Sequence, residues 1–182
     1  MVYIILGTGF EEVEAVAPCD VLRRAQIPVQ YAGIGGRLVE GAHGITLQAD
    51  VTVEEMDLES MDMIVLPGGM GGVQSIEGSD VTLRAVKHAL DQGKYVAAIC
   101  AAPTILGKRG WIDGKHVVCY PGMEQELGKA IPHPEKEAVV DGNLITGRAP
   151  GAAIEFGLTL AGLLPGSFTP DEVAGYMVYV RR

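Results

Sequence analysis

Three short apolar runs in this chain each stop at residues suited to turning. Val2–Leu6 runs into Gly7-Thr8-Gly9, Met63–Leu66 into Pro67-Gly68-Gly69, and Tyr95–Ile99 into a lone cysteine, Cys100. Continuous Val- and Ile-bearing runs of this length mark strands buried on both faces, the condition of a parallel sheet. Parallel neighbours need crossovers, and helical patterns lie between the runs. Glu11 to about Gln26 repeats Val13, Val16, Val21, Leu22 and Ala25 at helical spacing. A second pattern, capped by Ser79 or Asp80 and ended by Gly93, puts Leu83, Val86 and Leu90 on its inner face. Pro28–Ile34 reads as a further strand. The expected fold is α/β, a mostly parallel sheet with helices on both faces. Ligands in such sheets bind beyond the C-terminal strand ends, so the three turns should meet at one edge.

The remaining segments are shorter. Thr8-x-x-Glu11 has the form of a capping box, and Pro18 is expected to kink or break the helix that follows. Val39 to Val51 alternates weakly, as a hairpin or an edge excursion would. Lys115–Val118 reads as a strand ending at Cys119-Tyr120-Pro121-Gly122. Ala138–Val140 and Leu144–Thr146 flank a turn at Asp141-Gly142. A helix is expected from about Ala152 to Leu164, and Thr169-Pro170-Asp171-Glu172 opens another with proline at its first position.

A length of 182 residues suggests one domain, 1–182. A chain this long buries roughly 70% of its unfolded surface and needs no staples. Three cysteines without framework spacing favour a reducing compartment. The start of the chain is apolar but lacks a basic segment, and no run approaches the ~18 residues of a membrane span. A formal net charge of −9 with no basic cluster disfavours nucleic acid as a partner. The expectation is a soluble, cytoplasmic protein without a membrane partner.

Cys100 sits where a strand should turn sharply into a helix. Ala98 and Ala102 occupy the places, two residues either side, where a nucleophile elbow needs small side chains. A thiol at a helix N-terminus is favoured as thiolate, although a small buried cysteine is the plainer reading. Rival sites are weaker. Gly7-x-Gly9 lacks the third glycine of a dinucleotide fingerprint and is followed by Glu11, Glu12 and Glu14; Gly68–Gly72 lacks the Lys-Ser/Thr of a phosphate loop. His43, His88, His116 and His133 are scattered, so neither a metal nor a cofactor is expected. Of the acidic trio, Glu11 reads as a cap and Glu12 as solvated. Glu14, one turn on, can point across the strand ends, where a neighbouring thiolate would keep it protonated. It could equally serve only to complement the helix dipole.

Four segments together resemble the ThiJ/PfpI superfamily, and within it the DJ-one subgroup. They are Gly9-Phe10-Glu11-Glu12-Val13-Glu14, Leu66-Pro67-Gly68-Gly69, Ala97–Pro103 around Cys100, and Arg148–Phe156. The resemblance implies a flavodoxin-like three-layer sandwich, a homodimer, a reactive Cys100 and a protonated Glu14. It also implies an anion pocket made by Gly69 and Ala101 backbone N–H groups, with Gly68 beside it, and places Arg24 near the site. Protease-like members carry histidine directly after the cysteine; Ala101 stands there and speaks against a peptidase or amidase. Tyr120, before Pro121, stands where the subgroup often has histidine, and can donate a hydrogen bond to substrate. His43 replaces a dimer-side arginine of some relatives.

Two functions fit these residues. One is a glutathione-independent glyoxalase or deglycase acting on methylglyoxal-type 2-oxoaldehydes or their protein adducts. The other is a non-enzymatic oxidation sensor or redox-regulated chaperone, in which the same pocket holds Cys100 as sulfinate.

Overall fold

The computed structural model describes residues 1–181. Its strands are β1 (Val2–Leu6), β2 (Val29–Gly33), β3 (Leu38–Glu40), β4 (Thr46–Gln48), β5 (Val51–Thr52), β6 (Met63–Leu66), β7 (Tyr95–Ile99), β8 (His116–Val117), β9 (Ile131–Pro132), β10 (Ala138–Asp141) and β11 (Leu144–Gly147). The helices are α1 (Glu12–Arg24), α2 (Met70–Glu77), α3 (Asp80–Asp91), α4 (Pro103–Gly107), α5 (Ala153–Ala161) and α6 (Pro170–Tyr176).

Seven strands form one sheet in the order β10-β11-β7-β6-β1-β2-β5. Every pairing in it is parallel except β10 with β11. β1 and β6 are buried throughout and β7 from Val96 onward, as continuous apolar runs require. The chain leaves β1 towards β2 but passes from β6 to β7 in the opposite direction. Right-handed crossovers then put α1 and α3 on opposite faces, giving the three-layer flavodoxin-like sandwich. The reversal lies between β1 and β6, where such sheets open a crevice.

Several local expectations are corrected. Thr8 and Glu11 form no capping box: Phe10 N–H bonds Gly7 O in a tight turn, and Glu11 is itself the N-cap, with no side-chain bond. Pro18 neither breaks nor ends α1, which runs through it. Close packing compensates the lost helix bond, because α5 lies so near that a Cβ on Gly157 would come within 2.9 Å of Pro18 Cα. The weakly alternating stretch, by contrast, is a hairpin as expected, β3–β4, outside the main sheet, after which β5 joins the sheet edge. Lys115–Val118 contributes only β8, paired with β9 away from the main sheet. The inner face of α3 is Thr82, Ala85, Val86 and Ala89; Leu83 and Leu90 are only partly buried, since small residues let the helix sit close to the sheet.

Ser79 caps α3 by accepting the Thr82 N–H at 3.2 Å, and the Thr169–Glu172 box at α6 closes in both directions. The β10–β11 hairpin turns at Gly142-Asn143. Among the described residues no helix is long and apolar enough to cross a membrane.

Candidate active site

Cys100 follows β7 with φ at +66°, one of three non-glycine residues in the left-handed region among the described residues. That conformation costs roughly 1–2 kcal/mol and needs support from its surroundings. Its N–H donates to Gly147 O at 2.9 Å, and its carbonyl accepts Tyr120 N–H at 2.8 Å. Ala98 and Ala102 are fully buried on either side, and Pro103 opens α4. The elbow is therefore built as its small residues require.

Glu14 enters from the first turn of α1 and is wholly buried. Its Oε2 accepts the Gly68 N–H at 2.8 Å, while Oε1 is buried without a hydrogen-bond partner. A Cβ on Gly68 would lie 2.6 Å from Glu14 Oε2 and 3.1 Å from Cys100 Sγ. Carboxyl and thiol thus crowd the same backbone position, and only glycine fits between them. Gly69, at φ +80°, turns directly into α2, and its own Cβ would meet Gly9 O at 2.5 Å. Backbone N–H groups of Ala101 and Gly69 both reach the sulfur.

Burial pushes the Glu14 carboxyl up to about 7, against hydrogen bonds from Cys100 and Gly68 and with the Glu11 charge adding to the rise. Burial, then the charge of Glu14 and its contact, push the Cys100 thiol up to about 12. This corrects the expectation that the helix N-terminus makes Cys100 a ready thiolate: α4 has only five residues, and desolvation outweighs it. Both contributions from Glu14 belong to its ionised form. When Glu14 holds the proton they vanish, and the Ala101 and Gly69 N–H groups remain to stabilise sulfur. Below about pH 7 both groups keep their protons, and above it the pair holds one between them, with thiolate and carboxylate as alternatives.

A cavity of about 500 Å³ opens beside the sulfur, lined by Glu11, Gly69, Met70, Cys100, Ala101, Tyr120, Pro121, Gly122, Met123 and Pro150. A second, of about 390 Å³, shares Tyr120 and Pro121 and reaches Glu137 and Arg148. Tyr120 is thus at the site, half-exposed on the wall between the two cavities. Arg24 is not: it pairs with Asp20 at 2.8 Å, at the far end of α1, about 15 Å of helix from Glu14.

Of the other two glutamates, Glu11 stands at the N-cap of α1 as expected, without a side-chain bond, and also lines the cavity, whereas Glu12 is not solvated. Glu12 is buried, accepting His43 N–H at 2.7 Å on Oε1 and facing His43 Nδ1 at 2.9 Å on Oε2. Desolvation opposes its charge, but those His43 bonds win and hold the carboxyl below its usual value. The same contacts push the His43 imidazole up. The His43 loop arrives from thirty residues away, and no local pattern announces it. Glu11, Glu12 and His43 bring ligand atoms within 4.8 Å of one another, so they also make a potential metal-ligating trio.

Residues 1–162 match the model of the DJ-1/PfpI family. Protein dj-1beta of Drosophila melanogaster is 39% identical over 94% of this chain and 92% of its own. Its crystal structure superposes with a TM-score of 0.91, at 36% identity, covering 99% of this chain and 98% of that one. A Pyrococcus abyssi protein named as a deglycase is 32% identical over 82% of this chain and 90% of its own. The structure of Toxoplasma gondii DJ-1 in an oxidized form gives a TM-score of 0.92 at 30% identity, covering 99% and 98% of the two chains. With the elbow, the buried glutamate and the strand-end glycines in place, this chain belongs to the DJ-1/PfpI family.

Proposed function

We propose that the protein is a cofactor-independent glyoxalase or deglycase acting on 2-oxoaldehydes or the adducts they form with proteins. The observation that carries the reading is the Glu14–Cys100 pair around Gly68: a buried carboxyl with one unpartnered oxygen, protonated up to about pH 7, against a sulfur at an elbow. The name of the Pyrococcus relative supports the same class.

In this reading Cys100 sulfur attacks the aldehyde carbon, and the proton of the pair passes to the new oxygen, giving a hemithioacetal. Glu14, now a carboxylate, removes the hydrogen from that carbon and returns it to the adjacent one, while the hydroxyl proton passes to the oxygen on that adjacent carbon. The product is a thioester of a 2-hydroxy acid. Water cleaves it, restoring the pair with its one proton, so methylglyoxal plus water becomes lactate and a released proton. Ala101 and Gly69 N–H groups supply the anion-stabilising donors. Tyr120, on the cavity wall, donates to the substrate's second oxygen. An adduct on a protein side chain would release its amine or thiol when Cys100 sulfur displaces it from the aldehyde carbon, the leaving group taking the proton of the pair, and the same hemithioacetal follows.

Incubation with methylglyoxal checks this directly. Lactate should form, Cys100→Ser should abolish it, and Glu14→Gln should lower turnover by about 10²–10⁴-fold. Activity unchanged in Cys100→Ser would refute the reading.

A second reading, an oxidation sensor or redox-regulated chaperone, is favoured by the N–H groups already at the sulfur and by the oxidized state of the Toxoplasma structure. Mass spectrometry after mild peroxide treatment should then find Cys100 oxidised before Cys19 and Cys119; equal oxidation of all three removes its basis. A peptidase has no support in a site whose cysteine is followed by Ala101. All three cysteines are buried and unpaired, which suits a cytoplasmic, reducing compartment. The partner proposed is a second copy of the chain, meeting it at the exposed apolar face of α1.

A further inference from the structure

A separate pair of ligating side chains lies on the β8–β9 ribbon, away from the Cys100 cavity. His116 begins β8 and His133 directly follows β9. His116 Nδ1 stands 2.7 Å from His133 Nε2, with ring centroids 4.9 Å apart and ring planes inclined by 31°. The other nitrogen of His133, Nδ1, lies 3.4 Å from Glu135 Oε1. A carboxylate on the far ring nitrogen is the arrangement that fixes a metal-binding tautomer: hydrogen on Nδ1 towards Glu135 leaves Nε2 with a bare lone pair. Asp141 holds the His116 backbone, Oδ2 accepting its N–H at 2.8 Å, while Oδ1 takes Lys115 at 3.1 Å. That carboxylate is therefore committed, and the two imidazoles remain as ligands.

The hydrogen-bonded spacing is already close to that of two ligands on one ion. With bonds of about 2.0 Å, ligands on adjacent corners of a square or octahedron stand about 2.8 Å apart, and tetrahedral ones about 3.3 Å. The separation of 2.7 Å matches the former. We propose that His116 Nδ1 and His133 Nε2 chelate a tetragonal divalent ion, Cu²⁺ or Ni²⁺, with Glu135 orienting His133 and water completing the coordination. In the free protein His116 Nδ1–H donates to the His133 Nε2 lone pair; on metal binding that hydrogen moves to His116 Nε2, so each neutral ring still keeps one hydrogen and no proton is released. The pattern escaped sequence reading because sixteen intervening residues separate the two histidines.

Calorimetric titration of the full-length protein with Ni²⁺ alone, and separately with Zn²⁺, tests the site. One Ni²⁺ should bind, more tightly than Zn²⁺. His116→Ala and His133→Ala should each abolish that binding, and Glu135→Gln should weaken it by about 10-fold or more. His43→Ala should leave it unchanged, which separates this pair from the Glu11–Glu12–His43 trio. No Ni²⁺ binding, tighter binding of Zn²⁺, or binding that survives His116→Ala but is lost in His43→Ala would each overturn the proposal.

Discussion

Gly68 carries the constraint that bears most directly on the reacting groups, since its absent side chain is what allows thiol and carboxyl to meet. In Gly68→Ala the new methyl would stand 2.6 Å from Glu14 Oε2 and 2.7 Å from Cys100 Cβ. Relief by displacement should cost about 1–3 kcal/mol of stability and separate the pair. Methylglyoxal turnover should therefore fall at temperatures where circular dichroism still shows a folded protein; full activity in the folded variant would contradict the geometry. Glu14 also sets a pH dependence. Its folded value of about 7 is raised from 4.5, so the native chain binds a proton that the unfolded chain releases. The linked contribution is complete below about pH 4.5 and is lost as pH rises through about 7, on the order of 3 kcal/mol. Urea unfolding of wild type should show this falling limb between those values, and Glu14→Gln should lack it.

At the scale of elements, buried strands and side-chain caps are legible locally, whereas what depends on distant chain or on how closely a helix approaches the sheet is not. The runs ending at Leu6, Leu66 and Ile99 announce β1, β6 and β7 because burial on both faces leaves no polar alternation. Ser79 and Thr169 are legible for a similar reason, as a cap bonds only within its own helical turn. Ser79→Ala should lower the melting free energy by about 1 kcal/mol, measurable by thermal denaturation; no change would mean the bond to Thr82 N–H contributes nothing. Glu12 looked solvated because the His43 loop that covers it is remote in sequence. Thr8 and Glu11 had the letters of a capping box, but the Glu11 N–H bonds Gly68 O at 3.0 Å, tying this turn to the end of β6. Pro18 looked like a break because the compensating contact comes from α5.

For the whole molecule, the sheet brings three strand ends to one crevice and leaves α1 with an unburied outer face. Val13 and Val16 are each 42% exposed and Ile45 55%, around an apolar hollow of about 600 Å³ that also touches Ile154 and Met177. Covering that face with a second copy predicts a dimer in sedimentation equilibrium and a monomer for Val16→Asp; a monomeric wild type would count against it. Dimerisation is a separate matter from the chemistry, which stands on one shared proton. The most direct measurement is the rate of Cys100 alkylation against pH, in wild type and in Glu14→Gln. Wild type should show an inflection near pH 7, where Glu14 gives up its proton, and the variant should lose it. Superimposable curves with a single step near pH 8.5, the ordinary thiol value, would contradict the coupled pair.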